Sequence, residues 1–77
     1  MTDLVDRAPA ASLLSSREQE ILLGIAAGLS AKQIARSLLL SHRTVERHIE
    51  NIRVKMQARN TAHLITRAFA VGALRAA

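Results

Sequence analysis

The chain is predicted to be all-α, four helices packed into one small domain, and three observations predict this. Ser15, Ser30, Ser41 and Asn60 each stand just ahead of a stretch with apolar residues at helical spacing, which is where helix caps belong. The apolar content is almost entirely aliphatic residues and alanine, with one Phe and no Tyr or Trp, which suits a helical bundle. Seventy-seven residues are enough for one core and too few for a second.

Taken in order, residues 1–12 show no apolar period, are rich in alanine and hold the sole proline, Pro9. A flexible N-terminal arm is expected there, and its Asp3 and Asp6 make it a poor phosphate binder. Ser15 and Glu18 form a capping box for a first helix. It runs to about Ala27, buries Ile21, Leu22 and Ile25, and is stopped by Gly28. Gly24 within it costs about 1 kcal/mol relative to alanine and points to a close helix crossing. Glu18 is read as a cap and Glu20 as a solvent-facing charge, not as acid/base carboxylates.

Ser30 and Gln33 form a second capping box, opening a short helix from about Ala31 to Leu38 with Ile34, Ala35 and Leu38 as its apolar face. Ser41 caps a third helix, about 42–56, in which Val45, Ile49, Ile52 and Met56 make one apolar stripe. Arg43, Glu46, Arg47 and Glu50 fall toward the opposite side. Two short helices joined by about three residues, the second exposing cations, give the helix-turn-helix pattern over about 31–50. Asn60 caps a fourth helix, about 61–71, carrying Leu64, Ile65, Ala68, Phe69 and Val71 to Gly72. Residues 74–77 are left as a C-terminal tail.

Charge and composition narrow the function. The net charge is +5 and unevenly spread. Residues 1–20 hold four acids against two arginines, whereas from Ile21 onward nine Lys and Arg face only Glu46 and Glu50. Such asymmetry favours a polyanionic partner over a surface that is basic for solubility alone. With no cysteine there is neither a disulfide nor a thiolate metal site, and three scattered histidines make no metal cluster. With a single Phe and no Tyr or Trp, stacking on single-stranded nucleic acid is disfavoured. No apolar run approaches the roughly 20 residues of a membrane span, and Met1 to Asp6 has no signal-peptide character. A soluble, cytoplasmic protein is expected.

A longer string of motifs then adds a family resemblance. Leu14-Ser15-Ser16-Arg17-Glu18, Gly28-Leu29-Ser30-Ala31-Lys32, Ile34-Ala35 and Thr44-Val45-Glu46-Arg47-His48 occur in that order. Together they closely resemble the LuxR/GerE-type DNA-binding domain, over about residues 13–73. The resemblance implies a four-helix LuxR/GerE-type helix-turn-helix domain whose third helix enters the major groove. Base contacts are then expected from Arg43, Glu46, Arg47 and Glu50, since arginine bonds guanine O6 and N7 and glutamate accepts from cytosine N4. Phosphate contacts are expected from Ser30 and Lys32, at the amino end of the second helix, and from Thr44 and Lys55. His48 matches a family histidine and is given a structural role. The fourth helix commonly forms the family's dimer contact. Leu64, Ala68 and Val71 would then close the core and leave Ile65 and Phe69 for a partner, unless so small a domain needs both rows itself.

Two positions depart from the family pattern. Glu46 stands where lysine is frequent, and Gln57 stands where glycine commonly ends the recognition helix with positive φ. Glu46 and Glu50 are expected either to orient the arginines and prune the sequences accepted, or to pair with Arg43 and Arg47 three residues away. The implied function is a sequence-specific regulator of transcription on double-stranded DNA, as a homodimer, with no catalytic residue, metal, cofactor or small-molecule ligand. Another regulator or RNA polymerase is a further candidate partner. The rival is a protein-interaction module in which Glu46 and Glu50 have weakened DNA binding. A membrane-surface helix is the third reading, disfavoured by caps and buried stripes spread over four segments.

Overall fold

The computed structural model describes residues 13–74, and the arm expected over residues 1–12 lies outside them. Four helices follow in order: α1 (Ser16–Ala26), α2 (Ala31–Leu38), α3 (His42–Lys55) and α4 (Thr61–Ala70). There is no strand among the described residues. The all-α, four-helix expectation holds, with boundaries within a residue or two of those read from the caps.

Each start is made by the side chain expected to make it. Ser15 Oγ accepts from the Glu18 backbone N–H at 3.0 Å while Glu18 Oε1 accepts from the Ser15 N–H at 3.0 Å. Ser30 and Gln33 reciprocate in the same way, at 3.1 and 2.8 Å. Ser41 Oγ accepts from the Thr44 N–H at 3.0 Å, and Asn60 Oδ1 from the His63 N–H at 2.8 Å. These bonds satisfy amide donors that have no partner within the helix.

The ends share one device. After each helix a residue turns into the left-handed region and the chain folds back: Gly28 (φ +89°), Leu39 (φ +58°), Gln57 (φ +56°) and Gly72 (φ +83°). After α1, Leu29 N–H returns to Gly24 O at 3.0 Å; after α2, Leu40 N–H returns to Ala35 O at 2.8 Å. The ends of α3 and α4 close alike, through Ala58 N–H on Arg53 O and Ala73 N–H on Ala68 O. Gln57 therefore ends α3 in the geometry usually given to glycine, bearing a side chain that strains it.

The core is one cluster drawn from every helix. Ile21 and Leu22 of α1, Ile34 and Ala35 of α2, Val45 and Ile52 of α3, and Leu64 and Ala68 of α4 are buried together, with Met56 and Ala58 between α3 and α4. Helix α3 touches all three others, so its orientation is set from three sides. Where α1 meets α2, a β-carbon on Gly24 would lie 2.9 Å from Ile34 Cγ1. The close crossing expected at Gly24 is present, and only a hydrogen fits there. Leu74, read from sequence as the start of a tail, is buried at 6% exposure because the turn after α4 folds it back onto the core. Of the fourth-helix rows, Leu64 and Ala68 are fully buried, Val71 and Ile65 are half-buried against the core, and Phe69 is 46% exposed.

Candidate nucleic-acid interface

The candidate interface is built on α3. Val45 and Ile52 are completely buried, Met56 nearly so, and Ile49 packs against the same cluster. This pins the apolar stripe inward and turns Arg43, Glu46, Arg47 and Glu50 to solvent, all four exposed. The stripe read from the sequence is the one that packs.

The pairing among those charges differs from what was expected. Glu46 Oε2 lies 3.3 Å from His42 Nε2, and Glu50 accepts from Arg53 through both its oxygens, with Arg53 Nε at 3.0 Å. Arg43 and Arg47 pair with no acidic group among the described residues. Neither glutamate is ion-paired with either of the two arginines. For Glu50 the physical reason is sequence polarity. Glutamate ahead of its cation is the better arrangement on a helix, and Glu50–Arg53 has that order whereas Arg47–Glu50 reverses it. The Arg53 hydrogen bond holds the Glu50 carboxyl below the usual carboxylate range and raises the Arg53 guanidinium above its own. Arg53 also donates to Ala58 O at 2.6 Å, tying the pair to the turn after α3.

The helix amino ends carry three of the residues expected to contact phosphate. Ser30 and Lys32 are exposed at the start of α2. At the start of α3, Ser41 Oγ donates to Thr44 Oγ1 at 2.8 Å, which leaves the Thr44 hydroxyl proton free to be donated outward.

Lys55 is placed otherwise than the sequence suggests. Its Nζ is bonded to Glu18 Oε1 at 2.7 Å, and that carboxylate is only 5% exposed. Burial pushes the Glu18 carboxyl up. Its hydrogen bond from Lys55, its bond from the Ser15 backbone and the Lys55 charge outweigh burial, so the group stays below the ordinary range. Glu18 is thus both the cap of α1 and the anchor for the last turn of α3. His48 is half-buried beside the core stripe with its Nδ1 shielded from solvent, in keeping with a structural place.

Sequence reasoning missed three side chains that hold this surface. His42 and Arg53 take the two carboxylates, and Arg67 donates from Nε to Met56 O at 3.0 Å, binding the end of α3 to α4. The order of Glu50 and Arg53 was a usable signal. Nothing in the sequence marked Arg67, whose target is a backbone carbonyl.

Helices α2 and α3, capped and joined by a tight turn, with α3 exposing unpaired arginines, define a helix-turn-helix domain of the kind that meets DNA. Residues 12–68 match the family described as bacterial regulatory proteins, luxR family, and the chain belongs to that family. The family is one of regulators, not enzymes. The chain is 46% identical over 59 residues to the transcriptional regulatory protein FixJ of Rhizobium meliloti, covering 77% of this chain and 29% of that protein. It is 36% identical over 72 residues to the transcriptional activator protein SolR of Ralstonia nicotianae, covering 94% and 30%. The crystal structure of full-length FixJ from B. japonicum superposes with a TM-score of 0.74 at 39% identity, over 92% of this chain and 35% of that one. The chain spans about a third of the length of these relatives. No described helix is long and apolar enough to cross a membrane.

Proposed function

We propose that this chain binds duplex DNA sequence-specifically as a transcription regulator, with α3 in the major groove and residues 13–73 as the binding domain. The observation that carries this is the pair of unpaired guanidinium groups, Arg43 and Arg47, on the exposed side of a helix fixed from three directions. Each can bond guanine O6 and N7 without first breaking an ion pair. Glu46 and Glu50 border them as acceptors for cytosine N4, Glu46 lying 3.3 Å from His42 Nε2 and Glu50 with its charge offset by Arg53. That offset weakens the rival reading in which the carboxylates silence DNA binding.

Ser30, Lys32 and Thr44 take phosphates. The Ser30 hydroxyl accepts from Gln33 N–H and keeps its own proton to donate. Lys55, held by Glu18, contributes to the helix position more than to the backbone contact. Ile65 and Phe69 form a dimer contact through α4, with Phe69 the larger share since Ile65 is half-buried in its own core. RNA polymerase or another regulator is the protein partner, in the cytoplasm.

Binding measured against salt separates the roles. Arg47→Ala should cost about 1–3 kcal/mol on the preferred site and relax the choice at one base pair. Lys32→Ala should weaken all duplexes alike and lower the salt slope by about one unit. If both variants lose only non-specific affinity, Arg47 is not a reader.

A further inference from the structure

Val54 lies on the same exposed side of α3 as the arginines, and its place there is unexplained by packing. With about 100° of rotation per residue, Arg43, Arg47, Glu50 and Val54 fall within an arc of about 60°, diametrically opposite the stripe of Val45, Ile49, Ile52 and Met56. Val54 is 60% exposed, while Val45 and Ile52 have no exposed surface at all. A single exposed apolar residue is ordinary. Its angular place, within the arc of two arginines and a glutamate and one turn beyond Glu50, is the informative part. A β-branched residue there gives nothing to the core and less to the helix than alanine would.

We propose that Val54 is a specificity residue that packs against the 5-methyl group of a thymine in the major groove. This rests on the duplex-binding reading above and adds a position to it. The methyl is the apolar feature of the major-groove edge, and small apolar side chains are its usual contacts. Val54 follows Arg47 by two turns, about 10.5 Å along the axis. With α3 lying along the groove, that places the thymine about three base-pair steps from the pair read by Arg47.

The test uses a duplex selected by the wild-type protein, and the same duplex with uracil at each thymine in turn, which removes the methyl and leaves the base-pairing edge intact. At one position, about three steps from the Arg47 pair, the wild type should bind the uracil duplex about three- to fivefold more weakly, the worth of one buried methyl. Val54→Ala, whose shorter side chain reaches less far, should lose affinity on the thymine duplex and discriminate less against uracil than the wild type. Alanine suits an exposed helical position, and an unchanged helical signal would confirm that the variant is folded. If the wild type is indifferent to uracil everywhere, or Val54→Ala keeps the wild-type discrimination, the assignment of Val54 is overturned while the duplex-binding reading stands. If the wild type selects no duplex, the duplex-binding reading fails and this assignment with it.

Discussion

Leu39 shows most plainly how single residues bear the strain of this fold. It closes α2 with φ at +58° and is 92% exposed, so a branched apolar side chain holds a left-handed conformation without packing gain. Left-handed backbone costs a residue with a β-carbon about 1–2 kcal/mol, and glycine escapes that cost at some expense in unfolded-state entropy. Leu39→Gly is therefore expected to stabilise the domain by about 0.5–1 kcal/mol in urea unfolding. A loss of stability would mean that the leucine makes a contact this account lacks. The turn was legible as a boundary from Ser41 behind it, but its handedness was not, because Leu39 is not the glycine that signals positive φ. Glu18 was legible as a cap through its spacing from Ser15, yet its burial was hidden, since its partner Lys55 lies 37 residues away in sequence.

Among elements, α3 is the one all others serve, and the Glu18–Lys55 bond fastens its last turn to the first turn of α1. Because the Glu18 carboxyl is lowered in the folded state, its contribution is present above the ordinary carboxylate range. It is lost as pH falls through the lowered value. Glu18→Gln should cost about 1–3 kcal/mol at neutral pH, the carboxamide keeping the cap but not the ion pair. The variant should also lose less stability than the wild type between pH 7 and acid. Parallel stability curves for the two proteins would show that the pair contributes nothing. The apolar stripes and caps of all four helices could be read from sequence because both depend on spacings of three or four residues. The ion pairs on α3 were misassigned to Arg43 and Arg47 because spacing alone does not rank competing cations. For Glu50 the favoured order of glutamate before arginine ranks them, whereas Glu46 pairs with His42 against that order.

At the scale of the molecule, one small core of aliphatic residues carries exposed, unpaired arginines on one helix and an exposed phenylalanine on another. The proposed dimer contact through Phe69 acts between whole molecules. Phe69→Glu should bind a single half-site as the wild type does and lose the additional affinity for two properly spaced half-sites, measured by titration of single and paired duplexes. Undiminished affinity for the paired site would remove Phe69 from the contact. The overall architecture was open to sequence reading because each level agrees with the next: caps, stripes, a short turn and an uneven charge. Leu74 escaped because its burial follows from the path of a turn, not from any periodic pattern.

The central claim is that α3 reads duplex DNA through Arg43 and Arg47. Selection from a random duplex library tests it most directly, with wild type and Arg47→Ala side by side at one fixed salt concentration, since affinity depends steeply on salt. The wild type should enrich a defined motif, and the variant should enrich the same motif with one base pair relaxed. An identical motif from both proteins would remove Arg47 from the reading face, and no motif from the wild type would contradict the account.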